Sequence, residues 1–108
     1  MKLEEVTAVI LCGGAGKRLE PFLPGIPKPM VSIGNTPFLE LLLNYLKKQG
    51  IRNIILSLGF RAEIIIRHIQ SSSENSEILF SKEADPLGTA GALKKAASMI
   101  HQFPVLVI

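Results

Sequence analysis

Apolar residues along the chain follow two spacings, one typical of buried strands and the other typical of amphipathic helices. Short, mostly apolar runs predict four strands, over residues 6–11, 53–58, 77–81 and 104–108. Helical spacing between them predicts three helices, over residues 37–48, 62–70 and 88–100. Because apolar strands alternate with helices, we predict an α/β fold in which a parallel sheet carries helices on both faces.

The handedness of the connections predicts the order of the strands. Right-handed crossovers favour a sheet in the order 3-2-1-4, numbered along the chain. The loop over residues 11–28 then leaves the sheet at the carboxyl ends of the strands. Residues 13–16 are expected beside Gly88 at the switch point between strands 1 and 4, where open α/β sheets bind ligands. The polar stretch over 71–76 is too short for a linker, so residues 1–108 are predicted to form one unit.

The first predicted helix has a clear beginning and a clear end in the sequence. Thr36 is predicted to cap it, with Pro37 at the first helical position, and Gly50 follows its last residues. Five apolar positions recur at helical spacing: Phe38, Leu41, Leu42, Tyr45 and Leu46. We therefore predict that this face packs on the sheet and that Tyr45 is a core residue.

Composition and charge exclude several classes of protein. The 108 residues are 47% hydrophobic and 19% charged, and the net charge of +3 is spread along the chain, which argues against nucleic-acid binding. No apolar stretch approaches the length that spans a bilayer. The acidic N-terminus is unlike a secretory signal, and the single cysteine fits a reducing cytoplasm, so a cytoplasmic protein is expected. Cys12 is predicted to be a buried filler rather than a nucleophile, and His68 and His101 to be surface or packing residues.

A glycine-rich loop directly after the first strand points to a phosphate ligand. Residues 13–16 read Gly-Gly-Ala-Gly, and two cations, Lys17 and Arg18, follow at once. Glycines let the backbone N–H groups approach an anion, and Lys28, held between two prolines, adds a third cation. The alternative is a glycine turn with solvated surface cations, but it does not explain the Pro-Lys-Pro run. We interpret the loop as a clamp for a polyphosphate.

Two commoner glycine-rich motifs do not fit this loop. A P-loop requires Ser or Thr after the Gly-Lys pair, where this chain has Arg18, and a first glycine where it has Leu11. A dinucleotide fingerprint starting at Gly14 would need a third glycine where Leu19 stands. A dehydrogenase-type dinucleotide binder is therefore disfavoured.

The loop instead resembles the G-G-x-G-x-R-L … P-K-P signature of the sugar-1-phosphate nucleotidyltransferases, with Lys17 where many members have threonine. A second segment, from Glu83 to Ala92, is similar to the E-x-x-P-L-G-T-A-G-A block with which this family reads the base. Taken alone, that block is equally well explained as a helix N-terminus capped by Thr89. Other segments look most like the heptose-1-phosphate and mannose-1-phosphate guanylyltransferases.

The resemblance implies a fold, a reaction and a set of site residues. The fold is the Rossmann-like, glycosyltransferase-A-like nucleotidyltransferase fold, and the reaction joins a nucleoside triphosphate to a sugar 1-phosphate with release of pyrophosphate, in nucleotide-sugar or surface-polysaccharide biosynthesis. Arg18 is expected to contact the β- and γ-phosphates and Lys28 the α-phosphate. Glu83 takes the base-reading position, and because a carboxylate only accepts, it favours guanine and hence GTP. The implied nucleotide-binding residues are Leu11, Gly13, Gly14, Ala15, Gly16, Lys17, Glu83, Pro86, Gly88 and Thr89.

The resemblance also implies parts that lie beyond Ile108. The family's metal-binding aspartate follows the fourth strand, so Mg²⁺ is an expected cofactor with no ligand in residues 1–108. The sugar site is likewise expected further on, which makes this segment the truncated nucleotide-binding half of a domain. Alone it is expected to bind nucleotide weakly and to turn over nothing. A non-catalytic, nucleotide-sugar-binding regulatory paralogue and an inactive fragment remain alternatives, and the question of a homo-oligomer stays open.

Overall fold

A computed structural model describes residues 2–12, 28–72, 77–83, 88–101 and 103–108. Within these residues, four parallel strands form the main sheet: β1 (Thr7–Cys12), β4 (Asn53–Leu58), β5 (Leu79–Lys82) and β6 (Val105–Val107). A short antiparallel pair, β2 (Ser32–Ile33) and β3 (Thr36–Pro37), lies between β1 and the first α-helix. The α-helices are α1 (Phe38–Lys48), α2 (Ala62–Gln70) and α3 (Gly88–Ala97), and two 3-10 helices cover Leu3–Glu5 and Lys28–Met30.

The predicted sheet order is confirmed. The strands lie in the order β5-β4-β1-β6, which is 3-2-1-4 when the sheet's strands are numbered along the chain. Every pair is parallel, and the registers align the last residues of three strands: Cys12 of β1 pairs with Leu58 of β4, which pairs with Lys82 of β5. The carboxyl ends of these strands therefore form one level edge.

Helices cover both faces of the sheet, as predicted, because β1 points alternate side chains to opposite sides. Ala8, Ile10 and Cys12 belong to a cluster that includes buried residues of α1 and α2. Val9 and Leu11 point the other way and pack with residues of α3 and of the turn after it. The central strand β1 is thus buried on both faces, which explains its unbroken apolar sequence.

The predicted core face of α1 is partly wrong: Leu46 is buried and Leu42 packs against the core cluster, as predicted, but the other three positions are not buried. Leu39, Leu43 and Leu46 are the buried side chains of this helix. Three residues predicted to face the core are exposed, at 46% for Phe38, 40% for Leu41 and 57% for Tyr45. The helix is rich in leucine on two adjacent faces, so its periodicity fits either face, and packing against the sheet decides between them.

The predicted start of α1 is also wrong. Thr36 and Pro37 form β3 and pair with β2 across a turn in which Gly34 has a φ of +66°. The Phe38 N–H then donates to the Val31 carbonyl oxygen at 2.9 Å, so the helix begins one residue after the predicted proline. Thr36 belongs to the hairpin and is not the N-cap, and Pro37 precedes the first helical residue.

Other boundaries differ from the prediction by one to three residues. The strands β1 and β5 each end one residue later than predicted, and β6 covers only Val105–Val107. The helix α3 ends at Ala97 because Met99 and Ile100 turn back, their N–H groups donating to the carbonyls of Ala96 and Ala97. Asn53–Leu58 and Ala62–Gln70 match the predicted spans.

Candidate nucleotide site

Glu83 lies at the carboxyl edge of the sheet. It directly follows β5, and its backbone N–H donates to the carbonyl oxygen of Leu58, the last residue of β4, at 2.8 Å. The residue is buried, with 8% of its surface exposed. Acidic side chains are rarely buried, which sets Glu83 apart from the other residues at this edge of the sheet. The structure therefore places Glu83 at the carboxyl edge of the sheet, and its role in reading the base stays a prediction.

Leu11 and Gly88 are the other predicted site residues with described surroundings. Leu11 is the second-last residue of the central strand β1, and its N–H donates to the Ile108 carbonyl oxygen at 2.9 Å. Gly88 begins α3 with a φ of +70°, a conformation that glycine adopts without strain, and its α-carbon faces open space. Because α3 begins at Gly88, Thr89 lies inside the first turn rather than at the capping position that the alternative interpretation gave it.

Several predicted site residues lie outside the described residues. They are Gly13, Gly14, Ala15, Gly16, Lys17, Arg18 and Pro86. For Lys28 and Thr89 the structure describes the backbone. Lys28 is the first residue of the 3-10 helix Lys28–Met30, and Thr89 is the second residue of α3. The roles assigned to these residues stay predictions.

The backbone around Lys28 is anchored to the rest of the fold. Met30 packs against the core cluster on the α1 side of the sheet. The hydrogen bond from the Phe38 N–H to the Val31 carbonyl ties the same segment to the start of α1. The 3-10 helix that carries Lys28 is therefore fixed relative to α1 by the residues that follow it.

An apolar cavity of about 430 Å³ lies between this segment and β1. Leu11 and Cys12 of β1 line one side, and Pro29 and Val31 line another. The cavity brings the end of β1 and the neighbour of Lys28 to one surface, although they are 17 positions apart in the sequence. The sequence alone does not predict this cavity, because its walls come from separate segments that meet only in the folded chain.

Cys12 is buried, as predicted for a filler residue, at 2% exposure. Burial disfavours the thiolate and raises the pKa of the Cys12 thiol from 9.0 to about 12. A nucleophilic cysteine needs the opposite shift, because the thiolate is the reactive form. The structure therefore supports a packing role for this residue.

The raised Cys12 pKa gives an expected pH dependence of stability. Between pH 9 and pH 12 the unfolded thiol loses its proton while the folded thiol keeps it, so the free energy of unfolding falls as pH rises. One such group contributes a slope of at most about 1.4 kcal/mol per pH unit. In urea titrations at pH 8.5 and pH 10, we expect Cys12→Ala to lose less stability than the unaltered chain. Equal losses would contradict a buried thiol.

The two histidines differ in their surroundings. His68 on α2 has its Nε2 3.2 Å from Oε2 of Glu40 on α1, a contact that links the two helices. His101 is exposed after α3. Among the described residues, no three His, Cys, Asp or Glu side chains converge to hold a metal ion.

Comparison with known proteins identifies the family. The protein family described as Nucleotidyl transferase matches residues 7–108. The chain belongs to the nucleotidyl transferase family. This confirms the resemblance seen in the loop after β1 and in the segment from Glu83 to Ala92, and it gives no support to the dinucleotide-binding alternative. The family consists of enzymes that act on a nucleoside triphosphate and a sugar phosphate and are generally metal-dependent.

Relatives with assigned functions include bacterial and fungal guanylyltransferases. The chain is 43% identical over 93 residues to D-glycero-alpha-D-manno-heptose 1-phosphate guanylyltransferase of Campylobacter jejuni, covering 86% of this chain and 42% of that protein. It is 44% identical over 101 residues to the enzyme of the same name from Aneurinibacillus thermoaerophilus, covering 94% and 44%. Mannose-1-phosphate guanyltransferase of Emericella nidulans is 39% identical over 86% of this chain and 26% of its own length.

Solved structures agree with the fold. HddC from Yersinia pseudotuberculosis, whose crystal structure was determined in complex with GMP-PN, superposes with a TM-score of 0.81 at 44% identity, over 94% of this chain and 46% of HddC. The inositol-1-phosphate CTP transferase of T. maritima superposes with a TM-score of 0.79 at 18% identity, which shows the shared fold. The chain spans less than half the length of the curated heptose relatives it matches. Within the described residues, no helix is long and apolar enough to cross a membrane.

Proposed function

We propose that this chain is the nucleotide-binding part of a guanylyltransferase that joins GTP to a heptose or mannose 1-phosphate and releases pyrophosphate. The observation that carries the proposal is Glu83, a buried carboxylate at the carboxyl edge of the sheet. The names of the relatives, and the complex of HddC with GMP-PN, support the same nucleotide class.

The chemistry of Glu83 favours guanine among the nucleobases. An ionised carboxylate accepts hydrogen bonds at two oxygens, and guanine offers two adjacent donors, N1–H and the 2-amino group. Uracil and thymine offer one N–H between two carbonyls, so a carboxylate meets a single donor flanked by acceptors. The backbone hydrogen bond from the Glu83 N–H to the Leu58 carbonyl fixes the backbone of Glu83 beside the end of β4.

The phosphates are assigned to the two predicted cations. An oxygen of the sugar phosphate attacks the α-phosphorus of GTP in line, the bond from that phosphorus to the bridging oxygen of the β-phosphate breaks, and pyrophosphate leaves. Most of the rate comes from positioning and from charge stabilisation. Arg18 is proposed to hold the departing β- and γ-phosphates, and Lys28 to meet charge that grows at the α-phosphate. Mg²⁺ belongs to the proposal as the expected family cofactor, and no step assigned to these residues depends on it.

The direct test is pyrophosphate release by the gene product that carries this sequence, supplied with Mg²⁺, GTP and either mannose 1-phosphate or heptose 1-phosphate. We expect release that requires both substrates and that is faster with GTP than with UTP or dTTP. Tight GTP binding without pyrophosphate release, under conditions in which a heptose relative is active, would favour the regulatory paralogue instead.

Replacing Glu83 with glutamine is expected to change base preference more than rate. The amide offers one donor and one acceptor, so one of the two hydrogen bonds to guanine is lost while uracil gains a matching pair. We expect the ratio of kcat/KM for GTP to that for UTP to fall by about 10- to 100-fold, as expected for one charge-assisted hydrogen bond.

The matched control is Glu77→Gln. Glu77 is exposed and lies in the turn before β5, at the opposite end of that strand from Glu83. The Glu77→Gln variant removes the same charge from the protein without changing the carboxyl edge. Its order of kcat/KM values for the nucleotides should therefore stay as in the unaltered enzyme. An unchanged ranking in Glu83→Gln would remove Glu83 from base recognition.

A further inference from the structure

Arg61 occupies an unfavourable position at the same edge of the sheet. It is the residue before α2, and its backbone is left-handed, with φ 55° and ψ 37°. Such a conformation is uncommon for a residue with a β-carbon. Its positive charge also stands at the N-terminus of a helix, where the helix dipole favours anions. Glycine or aspartate would suit the helix start better, so the local structure does not account for arginine.

The turn that carries Arg61 is well fixed. The Ala62 N–H donates to the Gly59 carbonyl at 3.1 Å, and the Ile64 N–H donates to the Arg61 carbonyl at 3.0 Å. The guanidinium carbon lies 6.0 Å from the centre of the Phe60 ring, and one guanidinium nitrogen lies 3.9 Å from Oε1 of Glu63. Both contacts orient the group, but neither is a hydrogen bond. The side chain stays 50% exposed, which leaves its N–H donors accessible to a ligand.

Arg61 and Glu83 belong to neighbouring strand ends. Leu58 ends β4, Arg61 follows it by three residues, and the Leu58 carbonyl oxygen accepts the Glu83 N–H at 2.8 Å. At most about 10 Å of extended chain separates Leu58 from Arg61. The backbones of Glu83, whose carboxylate only accepts, and of Arg61, whose guanidinium only donates, are thus anchored on one carbonyl group and the turn that follows it.

We propose that Arg61 is a second base-reading residue, whose guanidinium donates to O6 and N7 of the guanine that Glu83 contacts. The inference rests on the proposed function and adds a residue to it. Paired donors of arginine match the O6 and N7 acceptors of guanine, a pairing familiar from DNA recognition. Adenine presents an amino group where guanine has O6, and pyrimidines have no N7. With Glu83 accepting from N1–H and the 2-amino group, the two side chains together select guanine.

The test compares equilibrium binding of GTP, 7-deaza-GTP and ITP to the purified gene product that carries this sequence and to its variants. The first analogue lacks N7 and reports on Arg61, whereas ITP lacks the 2-amino group and reports on Glu83. We expect the unaltered gene product to bind GTP about 10-fold more tightly than 7-deaza-GTP. Arg61→Gly, which suits the left-handed backbone, should remove that difference while keeping the preference for GTP over ITP.

Two further variants separate charge from geometry. Arg61→Lys keeps the charge but not the paired donors, so it should also lose most of the discrimination against 7-deaza-GTP. Arg67→Ala removes an exposed arginine further along α2, and this variant should keep the discrimination against 7-deaza-GTP. Equal binding of GTP and 7-deaza-GTP by the unaltered gene product, or an unchanged ratio in Arg61→Gly, would overturn the role of Arg61 and leave the proposed function standing. Absence of any GTP binding by the unaltered gene product would overturn both.

Discussion

Replacing Lys28 with alanine in the active gene product is expected to lower kcat by on the order of 10²–10³-fold, the usual effect of losing one donor that stabilises a charged transition state. The reason is the role proposed for its ammonium group, which meets negative charge that grows at the α-phosphate as the new bond forms. An interaction made mainly in the transition state changes kcat more than KM. The measurement is steady-state kinetics with GTP as the varied substrate.

The fold offers a matched control for this experiment. Lys48 is an exposed lysine in the last turn of α1. Lys28, in contrast, begins the 3-10 helix Lys28–Met30, which the contacts of Met30 and Val31 tie to the core and to the start of α1. Lys48→Ala should leave both kinetic constants close to those of the unaltered enzyme. A Lys28→Ala enzyme with normal kcat would remove the phosphate clamp from the proposed mechanism. A large rise in KM with kcat unchanged would assign Lys28 to ground-state binding only.

The topology of this protein could be predicted because it depends on strong and redundant signals. Runs made mostly of apolar residues identify β1 and β4 as buried on both faces, and right-handed crossovers then leave few possible strand orders. The hairpin of β2 and β3 was missed because each strand has only two residues, too few for any period to appear. The same hairpin displaced the predicted start of α1, since Thr36 and Pro37 also have the residue types of a helix beginning.

The candidate site also combines residues that a sequence motif marks with features that only the folded chain shows. Glu83 and Gly88 could be proposed because a motif with fixed spacing marks them, and the structure places Glu83 directly after β5 and Gly88 at the start of α3. Arg61 resembles any solvated surface cation in the sequence, which shows its charge but not its left-handed backbone or its place beside the end of β4. The available signal in the sequence was that Arg61 follows the predicted strand 53–58 after only two residues, Gly59 and Phe60. The apolar cavity beside Leu11 had no such signal, because contacts between distant segments create it.

Leu39→Ala and Leu41→Ala are expected to differ strongly in their effect on stability, although the same atoms are removed two positions apart on α1. Leu39 is fully buried against the sheet, so its loss removes apolar contacts and leaves a cavity that costs about 2–5 kcal/mol of unfolding free energy. Leu41 is 40% exposed, and its truncation should cost less than about 1 kcal/mol.

Urea unfolding monitored by circular dichroism measures both variants, with the slope against denaturant checked for two-state behaviour. The comparison decides between the two faces of α1, because the face predicted from periodicity contains Leu41 and the face observed in the structure contains Leu39. Comparable losses in the two variants, or a larger loss in Leu41→Ala, would contradict the observed packing of α1. A large loss in Leu39→Ala alone would confirm that the sheet, rather than the helical pattern, decides which leucines of this helix are buried.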